Sequence, residues 1–245
     1  KGETCSMDWR THTYPNWFIN SVIADSFSSG TNALHKFFYQ FLGTAGRIIQ
    51  KPAEEIAMWE KYSGLLKENI NKHFWDEKQG CYTCYLYPEY LGYRPTQRVG
   101  VMSNGLAAVL DIATTGQSIQ MVENFPLYPY GAAVLYPSIP DDFSYHNKSV
   151  WPVWETPYMY AARDVKNTKV VEHMIKSLVR AGALFLTHKE NMTYDTGYDC
   201  GTALNSSRQL WSVASYISMV YRVLFGMTME EEGITFTPVV PDLVA

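Results

Sequence analysis

The feature that most constrains this chain is an apolar pattern repeating at the helical period, broken by proline and by long polar loops. From Thr31 to Gln50 the positions Leu34, Phe37, Phe38, Phe41, Leu42, Ala45, Ile48 and Ile49 recur three and four apart, which predicts an amphipathic helix. Pro52 opens a second helix carrying Ile56, Trp59, Tyr62, Leu65, Leu66 and Ile70 to about Trp75. Its first turn holds Glu54 and Glu55, where the helix dipole favours acids. The two form a helical hairpin, and the pattern then returns. A helix is predicted over Ser103 to Thr114 and a short one over Gln117 to Glu123. Pro152 starts another that runs to about Val165. Thr168 caps one through Val171, Met174, Ile175, Leu178 and Val179 to Phe185, and the last runs from Leu210 to Leu224 and stops at Gly226. Residues 80–93, rich in Tyr, read as a strand or small hairpin. About seven helices in hairpins, without interleaved parallel strands, predict an all-α array or toroid.

Composition agrees with one large core. Of 245 residues, 47% are hydrophobic and 18% charged, which excludes disorder, collagen and a coiled coil. The formal net charge of -4 offers no electrostatic reason to bind nucleic acid or an anionic membrane, so neither is an expected partner. No apolar run approaches the roughly 20 residues that span a bilayer. The chain begins without Met on a dense polar and aromatic motif and closes on a strand-like run, so it is read as a piece of a longer protein. Residues 1–230 form the main domain and 231–245 the start of a β segment. Cys81 and Cys84 form a Cys-x-x-Cys, but no second pair or His cluster completes a zinc site, and no metal or cofactor is expected. Asn147, Asn191 and Asn205 each fit Asn-x-Ser/Thr, which matters for a secreted eukaryotic protein.

Aromatics reach 15%, with 7 Trp and 18 Tyr, many in polar stretches where flat rings beside polar groups suit sugar faces. The loop 125–150 is too long for a bland connection in a compact domain and is a functional candidate, and a second polar loop covers 187–207. Four polar clusters fall near helix ends: Glu3 to Arg10, Tyr145 to Pro152, Glu190 to Asp199 and Arg208 to Ser212. Carboxylates beside Trp recur in them. Cleavage of a glycosidic bond needs a protonated acid for the leaving oxygen, a second carboxylate on the opposite side and aromatic walls for the ring. A Trp neighbour also raises a carboxyl pKa by desolvation.

The segments Glu-Thr-Cys-Ser-Met-Asp8-Trp9-Arg10, Phe74-Trp75-Asp76-Glu77-Lys78-Gln79-Gly80-Cys81-Tyr82, Tyr145-His146-Asn147-Lys148-Ser149-Val150-Trp151-Pro152 and Gln209-Leu210-Trp211-Ser212 together resemble the six-hairpin glycosidases. These are (α/α)6-barrel hydrolases that include trehalases, processing α-glucosidases and amylo-α-1,6-glucosidases. The resemblance spans nearly the whole chain and is nearest to bacterial members. It implies an (α/α)6 toroid, here partial, with further helices before Lys1, small β-hairpin insertions and a C-terminal strand. It further implies an exo-acting, inverting α-glycosidase, with α-glucosides as the expected substrates, acting on an oligosaccharide or polysaccharide chain end. The bacterial likeness implies a periplasmic or extracellular location.

By the same resemblance Asp8 is the general acid, although the Glu3-to-Asp8 spacing is one residue longer than in the Glu-Ser-Gly-Trp-Asp type motif. The general base points to Glu190, with Asp195 and Asp199 as rivals. Trp9 and Arg10 flank the acid, and His146, Asn147 and Trp151 match the segment that lines the sugar site. Tyr145, Trp17 and Arg208 join the sugar-binding set, and Glu155, one turn into its helix, faces the same cavity. Inversion implies carboxyl groups about 6.5–9.5 Å apart, with a water between.

Plainer roles stand beside these. Asp8, in a loop before Pro15, also suits local backbone capping, and Glu190 suits a solvated loop charge. His146 also reads as a satisfied loop histidine, and Arg10 as a partner for a nearby carboxylate. Trp59 and Trp211, at helical spacing with Leu and Ile, read as core, whereas Trp9, Trp17, Trp151 and Trp154 lie in polar contexts that favour a site. A toroid that binds carbohydrate without cleaving it would keep the aromatic walls and lose the paired carboxylates. A lyase or epimerase would use Tyr145, His146 and Arg208. Asp8 between Met7 and Trp9 favours hydrolysis over both.

Overall fold

The computed structural model describes Tyr14, residues 18–140, Asp142 and residues 144–242. Among these residues the chain forms eight α-helices: α1 (Asn20–Asp25), α2 (Ser29–Ile48), α3 (Ala53–Phe74), α4 (Val101–Val109), α5 (Thr115–Asn124), α6 (Pro152–Asp164), α7 (Thr168–Phe185) and α8 (Leu210–Ser218). Three short connections, 49–52, 110–114 and 165–167, alternate with three long ones, 75–100, 125–151 and 186–209. Helices α2, α4, α6 and α8 pack side by side in chain order, while α3 packs on α2, and α5 and α7 pack on α6. Among the described residues the result is a two-layered row of helices that does not close on itself. All three long connections lead into the N-termini of α4, α6 and α8, so one end of the row carries the elaborated loops. No helix among the described residues is long and apolar enough to cross a membrane.

The tightest crossing sets the spacing of the inner row. A Cβ on Gly105 of α4 would lie 2.4 Å from the Tyr158 amide nitrogen and 2.5 Å from the Pro157 carbonyl carbon of α6, so the two backbones touch. Next to it the wholly buried Asn104 accepts from the Tyr82 amide (2.7 Å) and donates to the carbonyls of Tyr82 and Gly100 (both 2.9 Å). That amide ties the first turn of α4 to the hairpin before it. The large core runs from Tyr14 and Phe18 through Tyr85, Leu135 and Trp151 to Tyr158, Met174 and Leu178.

Helix α2 packs differently from the sequence expectation. Its buried positions are Ser29, Gly30, Ala33, Lys36, Gly43 and Gly46, whereas Leu34, Phe37, Phe38, Phe41, Ile48 and Ile49 are exposed, Ile48 to 76%. Small residues let α3 and α4 approach that face closely: Gly43 lies against Glu60, and Gly46 against Trp59 and Ile56. Buried Lys36 sends its ammonium to the Leu110 carbonyl at the C-terminus of α4 (2.8 Å) and to Gln40 Oε1 (2.8 Å), where the helix dipole favours a cation. Desolvation pushes that ammonium's pKa down, and Asp111 opposes the shift. The apolar stripe is thus real, but it looks away from the row. Trp59, expected in the core, is half-buried beside Gly46.

The strands are short and local: β1 (Phe27–Ser28), β2 (Trp75–Asp76), β3 (Cys81–Tyr82), β4 (Tyr85–Glu89), β5 (Gly92–Pro95), β6 (Val99–Gly100), β7 (Leu127–Tyr128), β8 (Gly131–Ala132), β9 (Leu135–Tyr136), β10 (Ser149–Val150), β11 (Met192–Thr193), β12 (Met227–Glu230) and β13 (Gly233–Phe236). The Tyr-rich stretch makes parts of two hairpins. In β2–β3, Asp76 Oδ1 accepts from the amides of Lys78 (2.8 Å) and Gln79 (3.2 Å) to close the turn, and Gly80 takes a positive φ of 62°. In β4–β5 the register pairs Glu89 with Gly92, and β1 joins the outer side of β4.

Three further expectations change in detail. The cap of α7 is Asn167, whose side chain accepts from the Val170 amide (3.1 Å), rather than Thr168. The last helix becomes π-helical over Met219–Leu224. The C-terminal strand is a hairpin, β12–β13, turned at Glu231 and Glu232.

The α4–α6 crossing gives a stability contrast. Gly105→Ala is expected to destabilise the protein by about 1–3 kcal/mol through overpacking against backbone that cannot yield. Gly64→Ala on α3, where a Cβ meets nothing within 4 Å, should stabilise by roughly 0.5–1 kcal/mol. Urea denaturation midpoints measure both.

Candidate active site

The loop 186–209 leaves α7 through Leu186, whose φ of 51° turns the chain sharply back. Its two arms then clasp each other around Glu190. The Glu190 amide donates to the Ser206 carbonyl (2.9 Å), and the Ser206 amide donates to Glu190 Oε2 (2.8 Å). Asn191 and Asn205 brace the same pair of arms, with Asn191 Nδ2 on the Leu204 carbonyl (3.1 Å) and Asn205 Nδ2 on the Asn191 carbonyl (2.7 Å). Strand β11 follows and pairs with β10, Ser149 opposite Thr193 and Val150 opposite Met192. That pairing brings the loop 125–151 against the loop 186–209, and the Tyr145 hydroxyl donates to Glu190 Oε1 (3.4 Å). Glu190 is 8% exposed, a carboxylate held by two donors with little of it left open to solvent.

Beneath Tyr145 lies an aromatic stack. Tyr145 stacks on His146 at 4.5 Å between centroids, His146 meets Trp154 at 4.9 Å, and Trp154 stacks on Trp151 at 4.9 Å. Trp151 Nε1 donates to the Tyr145 carbonyl (2.8 Å), and the Ser149 hydroxyl donates to the same oxygen. The motif assigns His146, Asn147 and Trp151 to the lining of a sugar site, but all three are buried here. Asn147 closes its own loop, accepting from the Ile139 amide and donating to the Ile139 carbonyl (both 2.9 Å). The segment therefore acts as the floor that fixes Tyr145. Trp211, read as core, is instead 42% exposed, with its ring 5.9 Å from Trp151. Arg208 is exposed two residues past Ser206.

The expectation that Glu155 faces the same cavity is corrected by the structure. The side chain is wholly buried, and its Oε1 accepts from the Ala132 amide at 2.6 Å. Gly131 lies directly over it, since a Cβ there would come within 2.4 Å of Oε1. The Ser177 hydroxyl donates to the Tyr130 carbonyl (2.6 Å) from the neighbouring helix. Glu155 thus pins strand β8 to the top of α6. Desolvation by burial holds its carboxyl well above the usual carboxylate range, and the bond from Ala132 only partly opposes this.

The rivals of Glu190 sit differently. Asp199 is paired with Lys189 at 2.7 Å, and the hydrogen bond from that ammonium holds its carboxyl below the usual range. Asp195 is exposed and accepts from the Thr196 amide (2.8 Å). Asp8, Trp9, Arg10 and Trp17 lie outside the described residues. What the sequence did not point to is the Ser206 amide, a backbone donor that leaves no residue-type signal.

Cys81 and Cys84 are both buried, and burial pushes the Cys81 thiol up to about 12, far from a reactive thiolate. Asn147 and Asn191 are also buried, so neither sequon is accessible. Among the described residues no group of three or more His, Cys, Asp or Glu side chains is placed to hold a metal ion.

No family model and no curated protein sequence matches the chain. Solved structures do. A GH63 mannosylglycerate hydrolase from Thermus thermophilus, in complex with glucose, superposes with a TM-score of 0.62 at 15% identity, covering 80% of this chain and 48% of that one. An uncharacterized conserved protein from the same organism gives 0.60 at 14%, covering 79% and 48%. A sialidase gives 0.69 at 13%, covering 88% of this chain and 21% of its own. The chain therefore shares its helical fold with these structures, which include hydrolases of the kind its motifs resemble. It spans about half the length of the GH63 structure.

The environment of Glu155 sets a pH dependence. A carboxyl whose folded pKa exceeds its unfolded value contributes stability that is complete below the unfolded pKa and is lost as pH rises. Wild-type stability should fall from about pH 4.5 upward by as much as about 1.4 kcal/mol per pH unit, until the folded-state pKa is passed. Glu155→Gln keeps an acceptor for Ala132 and cannot ionise, so this part of the slope should vanish when urea unfolding is followed between about pH 5 and 8.

Proposed function

We propose that this chain carries the catalytic layer of a glycoside hydrolase. Within that class it is an exo-acting, inverting α-glycosidase that takes an oligosaccharide or polysaccharide chain end, with α-glucosides as the first substrates to test. The observation that carries the reading is Glu190, a nearly buried carboxylate clasped by the Ser206 amide and the Tyr145 hydroxyl, at the loop-bearing end of a fold shared with GH63 hydrolases. Two donors, one on each oxygen, orient a carboxylate as a general base must be oriented and leave each oxygen a further lone pair to draw a proton from water. Asp8 is assigned as the general acid on its motif, and Trp9, Arg10, Trp17 and Arg208 as sugar contacts. The exposed Trp211 joins them as an apolar surface for a sugar ring.

The open row of helices fits the same reading. In a complete (α/α)6 toroid the exposed apolar side of α2, the exposed Ile217 of α8 and the exposed Tyr221 and Phe225 after it would meet further helices. Residues 1–230 then belong to the toroid and 231–245 begin a β segment.

The deciding experiment is hydrolysis of α- and β-linked aryl glycosides and disaccharides by the full-length protein, with the product anomer followed by NMR. Inverted product is expected. Glu190→Gln and Asp8→Asn should each lower kcat by about 10²–10⁴-fold while sugar binding survives. Tyr145→Phe removes one orienting hydrogen bond and should cost about 2–10-fold in kcat with KM nearly unchanged. Retained product would overturn the inverting assignment, and sugar binding without turnover on any substrate would replace the enzyme by a binding protein.

A further inference from the structure

Glu190 draws its two donors from different loops, and one arm of the chain links them. The Ala203 amide donates to the Ser144 carbonyl (2.7 Å), next to Tyr145, and Thr202 pairs with Ser144 in an isolated parallel bridge. Further along the same arm, the Ser206 amide meets Glu190 Oε2 (2.8 Å). The segment 202–206 thus begins against the neighbour of one donor and ends in the other. A group that fixes this segment beside Glu190 sets the Tyr145 hydroxyl and the Ser206 amide together.

Asn205 is placed to do so. Its Nδ2 donates to the Asn191 carbonyl (2.7 Å) and to Asn191 Oδ1 (3.1 Å), with Thr202 Oγ1 at 3.3 Å, and its Oδ1 accepts from the Asn191 amide (3.5 Å). Asn191, 1% exposed, answers with Nδ2 on the Leu204 carbonyl (3.1 Å). The Asn191–Asn205 contact adjoins the Glu190–Ser206 contact along both arms. Neither arm belongs to a strand there, so a side-chain amide that both donates and accepts supplies the pairing that a backbone ladder would. Aspartate in its place would keep the acceptor and lose both hydrogens. The side-chain partners of Asn205 all lie within the loop 186–209, so its effect falls on the site rather than on the helical row.

We propose that Asn205 is a positioning residue for the base, holding the Ser206 amide on Glu190 Oε2 and, through Ala203 and Ser144, the Tyr145 hydroxyl on Oε1. It acts through these donors and not on the substrate. With both donors loosened the carboxylate would still be present, but it would aim its remaining lone pairs at the attacking water for less of the time. The assignment rests on the reading of Glu190 as the general base.

Steady-state kinetics of the full-length protein, on the aryl glycoside that the wild type cleaves, tests this with Asn205→Ala and the near-isosteric Asn205→Asp. Each is expected to lower kcat by about 10–100-fold with KM nearly unchanged. Because Asn205 works partly through Tyr145, adding Tyr145→Phe to either variant should cost less than the product of the two single effects. Hydrogen exchange of the peptide carrying the Ser206 amide should quicken in both variants, a readout that needs no turnover, while circular dichroism stays as in the wild type. If Asn205→Ala loses its fold, Asn205→Asp gives the same readouts. Wild-type kcat, a rise in KM alone, fully multiplicative effects with Tyr145→Phe, or unchanged exchange at Ser206 each overturn the assignment and leave Glu190 as the base. A full-length protein that cleaves no glycoside overturns the base and the positioning role together.

Discussion

Everything at the working end of this molecule depends on how closely α4 and α6 approach. Because Gly105 has no side chain, the backbone of α4 rests on the Pro157–Tyr158 segment of α6, and the first turns of both helices are placed by that contact. From α4, Asn104 reaches back to the hairpin β2–β3. From α6, Glu155 reaches back to β8, while Trp151 and Trp154 support Tyr145. The β10–β11 pairing then fastens the Glu190 loop to the Tyr145 loop. The position of the candidate base is thus the last link of a chain of short contacts that starts at a glycine.

Much of the layout is legible in the sequence because it follows from periodicity and punctuation. The helices predicted at 31–50, 52–75, 152–165 and 168–185 form within a few residues of those bounds, since Pro52 and Pro152 mark their starts unambiguously. The 103–114 segment begins at Val101 and ends at Val109, because the chain turns to place Leu110 under Lys36. Glu190 is singled out in the sequence only by its place ahead of the Gln209–Ser212 run, and the structure holds it in a nearly buried, doubly bonded setting.

What sequence could not reveal is which way a face points. Helix α2 has a strong apolar stripe, yet it packs through Gly, Ala, Ser and one buried Lys, because close approach to α3 and α4 selects small side chains over hydrophobic ones. The same limit applies to polar residues in site-like motifs. Asn147 and Glu155 occupy motif positions, but Asn147 directs its amide at backbone, Glu155 gives Oε1 to the Ala132 amide, and both side chains are buried. Nor does any residue type announce a backbone donor such as the Ser206 amide. Residue type predicts the chemistry a side chain can perform, while the neighbouring backbone decides where it is performed.

The alternation of short and long connections separates two kinds of freedom. The links 49–52, 110–114 and 165–167 hold antiparallel helices at fixed spacing, and a change of length there would shift a whole helix. The loops 75–100 and 125–151 carry their own hairpins, the loop 186–209 is held by internal hydrogen bonds and by its pairing with β10, and closing a longer loop costs little additional entropy. Loop length and sequence can therefore change at one pole of the molecule while the helical layer keeps its spacing.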